Sequence, residues 1–427
     1  MAKMRVYLLA LSFYAIPFQV FGLRVIFSQS TYGAKVDLSV ISILIWLFLW
    51  MPKKNIIFSF ITFIFLTTYS YFFAILLENP FSFSRLITAS FFYSILINCL
   101  FVQKNLNIKE INYARTSIFL GFITCIFLKI IEPFLPEIWE NQGFGEPTFA
   151  NLFYCSILTL GILNFIQRKY FLSIFLTIGS SILLLQTRGI HIISFFITNL
   201  IILFSINLSK IKTFFLNPRL LNKNTFYSLI GILCSLPILY IVLRSDYFTG
   251  RIFTVLGNNT VRNTVKEGGV SALVWLSGFN QAKEAFFSCG IFGCGSGSPG
   301  VFTDKAFIPE INNLCDGCLT ESILNLNRYD CYSLLFRSFV EYGFLSILLW
   351  SIVFKNVIDY LGIIINNPRL KFNLDITCFL LIFLIGSLIK ESSLYRSITF
   401  LPLIILFIQT NRFNINLSEI KTLNQNK

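Results

Sequence analysis

Charge is what this chain has least of. Charged residues fill 13% of its 427 positions, where an ordinary soluble domain carries roughly 25%. Hydrophobic residues supply 55% of the chain, and mean hydropathy is +0.73. A solvated globular surface cannot be covered from that stock, so the chain is expected to work at or across a bilayer. Histidine is scarce too: His191 is the single copy. No second CxxC pair accompanies Cys315-Asp-Gly-Cys318 and no histidine lies near it, which argues against a structural zinc site. The glycine-rich run at 293–300 lacks the Gly-Lys-Ser/Thr ending of a P-loop, and no Rossmann-type strand precedes it. A tight turn beside a ligand is expected there instead of a nucleotide cradle. There is no paired-aspartate motif for a divalent metal, no internal repeat and no second soluble domain.

What is abundant is long apolar runs, with 50 phenylalanines among them. Runs of about 17–25 apolar residues read as membrane-spanning helices, because lipid offers no partner to a free backbone N–H or C=O. Twelve are expected: 6–23, 37–51, 55–77, 83–102, 115–132, 148–166, 170–187, 190–207, 226–243, 332–353, 373–389 and 397–411. The fold class is therefore all-α, a polytopic transmembrane bundle. Residues 1–243 hold spans one to nine. Residues 244–331 form one large extracytoplasmic loop, and residues 332–427 hold spans ten to twelve and a tail.

The net charge of +14 is explained by where the basic residues sit. They cluster in every second connector, at 53–54, 104–115, 168–169, 210–223 and 355–371 and in the tail from Arg412. That is the positive-inside pattern of a membrane protein, and no nucleic-acid partner is expected. An even number of spans puts both termini in the cytoplasm. Val6 onward reads as a spanning helix with no small-residue cleavage site, so no cleavable signal is expected.

Within the loop, residues 274–287 present an apolar face (Val274, Leu276, Ala282, Ala285, Phe286) and predict an amphipathic helix lying on the bundle. Cys99, Cys125, Cys155, Cys234 and Cys378 fall in predicted spans and read as small buried hydrophobes. Cys289, Cys294, Cys315, Cys318 and Cys331 fall in the loop or at its edge, where stapling disulfides are expected in an oxidising compartment, with the pairing open.

Charged side chains at membrane depth are costly and mark function. Glu146 lies in Gly-Phe-Gly-Glu-Pro-Thr-Phe-Ala-Asn151, entering the sixth span. Arg188 occupies Gln-Thr-Arg-Gly189, the tight outer turn between spans seven and eight. Arg244 and Arg251 open the large loop with Arg262 and Lys266 behind them, and Arg396 sits in the last outer turn. A ring of guanidinium groups at the outer lipid boundary suits a lipid-borne diphosphate, since arginine binds phosphate oxygens through a planar bidentate fork. Snorkelling is the plain alternative, and is the reading for Arg24, Arg85 and Lys35.

The same residues carry a resemblance. Glu-Pro-Thr-Phe-Ala-Asn before a span, Thr-Arg-Gly between two spans and a large outer loop resemble the Wzy-type O-antigen polymerase and O-antigen ligase superfamily. So do the loop's Gly-Phe-Asn-Gln-Ala-Lys-Glu-Ala and Gly-Ile-Phe-Gly-Cys-Gly-Ser-Gly, followed by Asp330 and Phe-Val-Glu341-Tyr-Gly343-Phe-Leu. The likeness runs in order from about residue 140 to 400. It implies transfer of a glycan from undecaprenyl diphosphate to an acceptor sugar at the outer face of a bacterial cytoplasmic (inner) membrane. The implied partners are the undecaprenyl-diphosphate-linked oligosaccharide and, in the membrane, a chain-length regulator and a flippase; no cofactor is implied.

One departure separates the two branches. The ligase branch carries a histidine shortly before the span after the large loop, and here that stretch reads Asn327-Arg-Tyr-Asp-Cys-Tyr-Ser333. The reading moves toward a polymerase, with ligase as the alternative and a transporter or flippase as the rival class. Transporters hold midplane sites in repeated halves, whereas the midspan positions here are nearly free of charge. The expected mechanism is metal-independent, inverting glycosyl transfer. Arg188, Arg244, Arg251, Arg262 and Arg396 would hold the diphosphate and offset charge developing on it. Glu146 or Asp330 would orient or deprotonate the attacking hydroxyl, and His191, three residues after Arg188, is a further candidate base. Gly293 and Gly295, in the glycine-rich run, would form a wall of the acceptor groove.

Overall fold

The computed structural model describes residues 2–17, 23–24, 35–36, 38–76, 83–102, 106–131, 147–167, 169–184, 195, 197–199, 201, 270–302, 331, 333–366, 371–389 and 397–411. Over these residues the chain is all-helical apart from one small antiparallel ladder, in which Leu23–Arg24 (β1) pairs with Lys35–Val36 (β2). In chain order the helices are α1 (Ala2–Tyr14), α2 (Leu38–Trp50), α3 (Lys53–Leu76), α4 (Phe83–Cys99), α5 (Ile108–Ile131), α6 (Pro147–Ile166) and α7 (Tyr170–Leu184). They continue with α8 (Val270–Cys289), α9 (Leu334–Tyr342), α10 (Phe344–Asn366), α11 (Lys371–Ile389) and α12 (Ser397–Asn411).

Three of these helices, Lys53–Leu76, Ile108–Ile131 and Phe344–Gly362, are long and apolar enough to cross a membrane. Leu38–Trp50, Arg85–Cys99, Leu152–Phe165, Tyr170–Leu184, Leu374–Ile389 and Phe400–Thr410 are apolar but shorter. The expected spans at 190–207 and 226–243 fall almost wholly outside the described residues.

Local chemistry explains where several helices begin and end. α2 and α3 are separated at Pro52, whose carbonyl then accepts the Asn55 and Ile56 N–H groups of the new helix. α5 starts seven residues before the expected span because Asn107 caps it. The Asn107 side chain accepts the Lys109 N–H at 3.2 Å, and Glu110 reaches back to the Asn107 N–H at 2.8 Å, a capping box. α1 also starts early, running from Ala2 to Tyr14 where 6–23 was expected.

The largest departure is in the expected tenth span, 332–353. It is broken: α9 stops at Tyr342, Gly343 takes φ +54°, and α10 starts anew at Phe344. The reason is a close approach. A Cβ on Gly343 would lie 2.0 Å from the carbonyl oxygen of Ile291.

The centre of the bundle is the pair α11 and α12. Side chains from Ile376 to Phe383 and from Phe400 to Ile408 are buried on every face, as expected of a helix that is hydrophobic all round. α12 packs on α2, α4, α10 and α11, and α11 on α6. By contrast α3 exposes Phe60, Ile61, Phe65 and Phe72, and α7 exposes Phe171, Ile174 and Ile178. Such surfaces suit lipid, which is as apolar as they are.

Helix ends sort into two sets. At one end Asn55 meets Asn98, Arg5 lies 3.9 Å from Glu110, and Arg115 binds Asp375 at 3.0 Å. These are the starts of α1, α3, α5 and α11 and the finish of α4. At the other end the finish of α3 and the start of α4 meet the glycine-rich run that follows α8.

Candidate functional site

α8 is the expected loop helix, lengthened to Val270–Cys289, with Ala282 and Ala285 buried against α9. Two 3-10 turns follow it, Gly290–Phe292 and Ser298–Phe302, with the glycines between them in left-handed conformations. Gly293 (φ +77°) could not carry a side chain, since its Cβ would sit 2.5 Å from the Gly343 nitrogen. A Cβ on Gly295 (φ +85°) would sit 2.6 Å from the Cα of Ser70. Both positions expected to form a wall are therefore places where two backbones meet, which only glycine permits.

The turn is sealed by hydrogen bonds to α9. The Cys294 N–H donates to the Val340 carbonyl and the Gly295 N–H to the Glu341 carbonyl, both at 2.8 Å. The Gly297 N–H donates to Glu341 Oε1 at 2.8 Å, and Arg337 Nε approaches the same oxygen at 3.3 Å. The Ser296 N–H donates to Ser70 Oγ at 2.7 Å, and the Ser296 hydroxyl bonds the Tyr342 hydroxyl. Tyr69 Oη donates to the Phe292 carbonyl at 2.7 Å, and the Tyr93 ring meets Tyr342 edge-on at 4.8 Å. Ser333 caps α9, accepting the Phe336 N–H while donating its own proton to Leu388 on α11.

Arg337 and Glu341 are four residues apart on one helical face and are both buried, the carboxylate completely. Coulomb attraction in a low-dielectric setting is strong, but so is the desolvation it must offset. The carboxylate is spent on the turn: one oxygen holds both Arg337 and a backbone N–H. Glu341 is thus a clamp that fixes the glycine turn, and the hydroxyls of Ser70 and Ser296 are buried within the junction at one end of the bundle.

Cys289 and Cys294 are joined by a disulfide with Cα atoms 5.4 Å apart, closing the first 3-10 turn. Cys331 is a buried thiol donating to Gln281, and Cys99, Cys125, Cys155 and Cys378 are buried thiols as expected. Cys234, Cys315 and Cys318 lie outside the described residues.

Among the expected site residues, Gly293 and Gly295 are placed together. Glu146, Arg188, His191, Arg244, Arg251, Arg262, Asp330 and Arg396 lie outside the described residues. The residues that sequence reasoning passed over are Arg337, Ser296, Ser70, Tyr69, Tyr93 and Tyr342. An arginine and a glutamate at i,i+4 inside an otherwise apolar run was a readable signal for the first. Nothing in the sequence pointed to Ser70 or Tyr93. Among the described residues no group of three or more histidine, cysteine, aspartate or glutamate side chains could hold a metal ion. No protein-family model and no curated protein matches the chain.

Proposed function

We propose that this protein is a membrane glycosyltransferase that polymerises oligosaccharide repeat units carried on undecaprenyl diphosphate. In this reading the twelve expected spans cross the bacterial inner membrane with both termini in the cytoplasm, and residues 244–331 lie on the outer face. Arg188, Arg244, Arg251, Arg262 and Arg396 hold the donor diphosphate, whose bidentate recognition fits guanidinium groups. Glu146, Asp330 and His191 are the candidates for orienting or deprotonating the acceptor hydroxyl.

The observation that carries the reading is a contact. Two of the segments that carry the resemblance, Gly-Ile-Phe-Gly-Cys-Gly-Ser-Gly at 290–297 and Phe-Val-Glu-Tyr-Gly at 339–343, are separate in sequence. In the fold they lock together through Glu341 and its backbone carbonyl. Their junction lies at the end of the bundle where α3 finishes and α4 starts, which supports an acceptor site near that end.

The test is the surface-polysaccharide ladder of cells lacking the gene. Loss of a polymerase leaves one repeat unit on the lipopolysaccharide, loss of a ligase leaves none, and an unchanged ladder rejects both. Complementation with Arg188→Ala is expected to restore the protein but not the ladder, with Arg188→Lys rescuing poorly. A full ladder from Arg188→Ala would remove the diphosphate from that turn.

A further inference from the structure

The glycine turn and the end of α8 lie at membrane depth. α3 has 24 residues and, at about 1.5 Å per residue, is about 36 Å long against a hydrocarbon layer of about 30 Å. Centred in a bilayer, it overhangs by about 3 Å at each end. Ser70, which accepts the Ser296 N–H, is six residues short of Leu76, so it lies roughly 6 Å inside the hydrocarbon boundary. Tyr69, bonded to the Phe292 carbonyl, is a residue deeper. A loop seated there cannot be a freely solvated one.

Two properties of the turn answer the demands of that depth. Irregular backbone is tolerated in a membrane only where its polar groups are paired within protein. Here the N–H groups of Cys294, Gly295, Ser296 and Gly297 all have partners on α9 or α3, and the Phe292 carbonyl has Tyr69. The side chains facing outward from the turn are apolar: Phe287 is 71% exposed, Ile291 57% and Phe292 60%. They continue the bare apolar surface of α3 on one side (Phe65, Phe72) and of α10 on the other (Phe344, Leu348). One turn of α8 earlier, exposed Lys283 stands between Phe279 and Phe287 on the same stripe, the pattern of a helix at a lipid–water interface.

We infer that residues 287–297 form a re-entrant element whose apolar side chains contact phospholipid acyl chains while its backbone is sealed against α9 and α3. The inference rests on α3 and α10 crossing the membrane and is independent of the enzymatic reading. Its occupant is bilayer phospholipid, because the exposed side chains are continuous with a lipid-facing surface and not an isolated patch.

The test places the photoreactive amino acid p-benzoylphenylalanine at position 287, 291 or 292 of the full chain in nanodiscs of phosphatidylethanolamine and phosphatidylglycerol. Position 348 on α10 serves as the lipid-facing reference and exposed position 109 at the opposite, polar end as the aqueous one. After irradiation, mass spectrometry reads lipid adducts. Yields at 291 and 292 within about twofold of position 348, and about tenfold above position 109, are expected for side chains in hydrocarbon. Yields as low as at position 109 would put the turn in water. Adducts to a second protein chain in place of lipid would make the surface a protein interface. Either result overturns the proposal. All three probes replace exposed side chains, so the readout does not hang on any one of them.

Discussion

The two ends of the bundle each bury a carboxylate beside an arginine and use the pair differently. Asp375 on α11 holds Arg115 of α5 at 3.0 Å, with Gln167 also donating to it, and the Arg115 side chain is 38% exposed. That pair ties three helix ends together while its cation keeps contact with solvent. Glu341 and Arg337 sit one turn apart on the same helix, and both are shut away from solvent. Their pairing ties no helix ends together; it leaves the carboxylate oriented to catch an N–H of the glycine turn. The lesson is that a buried ion pair costs too much to be justified by helix stability alone, and here it is repaid by positioning a backbone segment that has no regular structure of its own.

Breaking the buried pair is expected to have the largest effect. Glu341→Ala leaves Arg337 without its carboxylate in a buried setting and frees the Gly297 N–H, at a cost of about 3–5 kcal/mol. Thermal unfolding of the purified protein in detergent reads this, and a loss no larger than that of the Asp375 variant would erase the distinction drawn above. The disulfide is intermediate. Cys294→Ser opens a six-residue loop whose closure is worth about 2 kcal/mol by chain entropy. The loss should appear in oxidised protein and vanish when wild type and variant are compared under reducing conditions. The smallest effect is expected of Asp375→Asn, about 1 kcal/mol or less, because Arg115 can turn to solvent when its partner goes. A loss there comparable to that of Glu341→Ala would show that the polar end is as tightly sealed as the other.

Much of the bundle was legible because its signal is collective. A long apolar run is hard to mistake, and the expected spans at 55–77, 83–102, 148–166, 170–187 and 373–389, with the shorter ones at 37–51 and 397–411, each coincide with a helix. Which helix lies inside was not legible. α3 and α12 are both apolar all round, yet α3 exposes Phe60 and Phe65 while α12 buries everything from Phe400 to Ile408. In lipid, composition no longer distinguishes outside from inside. The break at Gly343 was hidden for a related reason: Tyr-Gly-Phe inside an apolar stretch reads as continuous, and the contact with Ile291 that demands glycine is made fifty residues away. At the site, glycines announced a turn but not its partners. The clamp depends on Ser70, Tyr69 and Glu341 arriving from distant parts of the chain.

The burial of α11 and α12 has a consequence for how the protein is made. As a pair they follow in sequence the other described helices they pack against, α2, α4, α6 and α10 among them. A ribosome delivers the outer staves of the barrel first and its centre last. Until residues 371–411 have been inserted, the earlier helices can pair with one another, α1 with α2 and α5, α3 with α4, α6 with α7, but lack the two helices that become buried among them. Closure around the core is therefore a late event, and a chain cut short before α11 would keep those local pairings but lose the helices that join them.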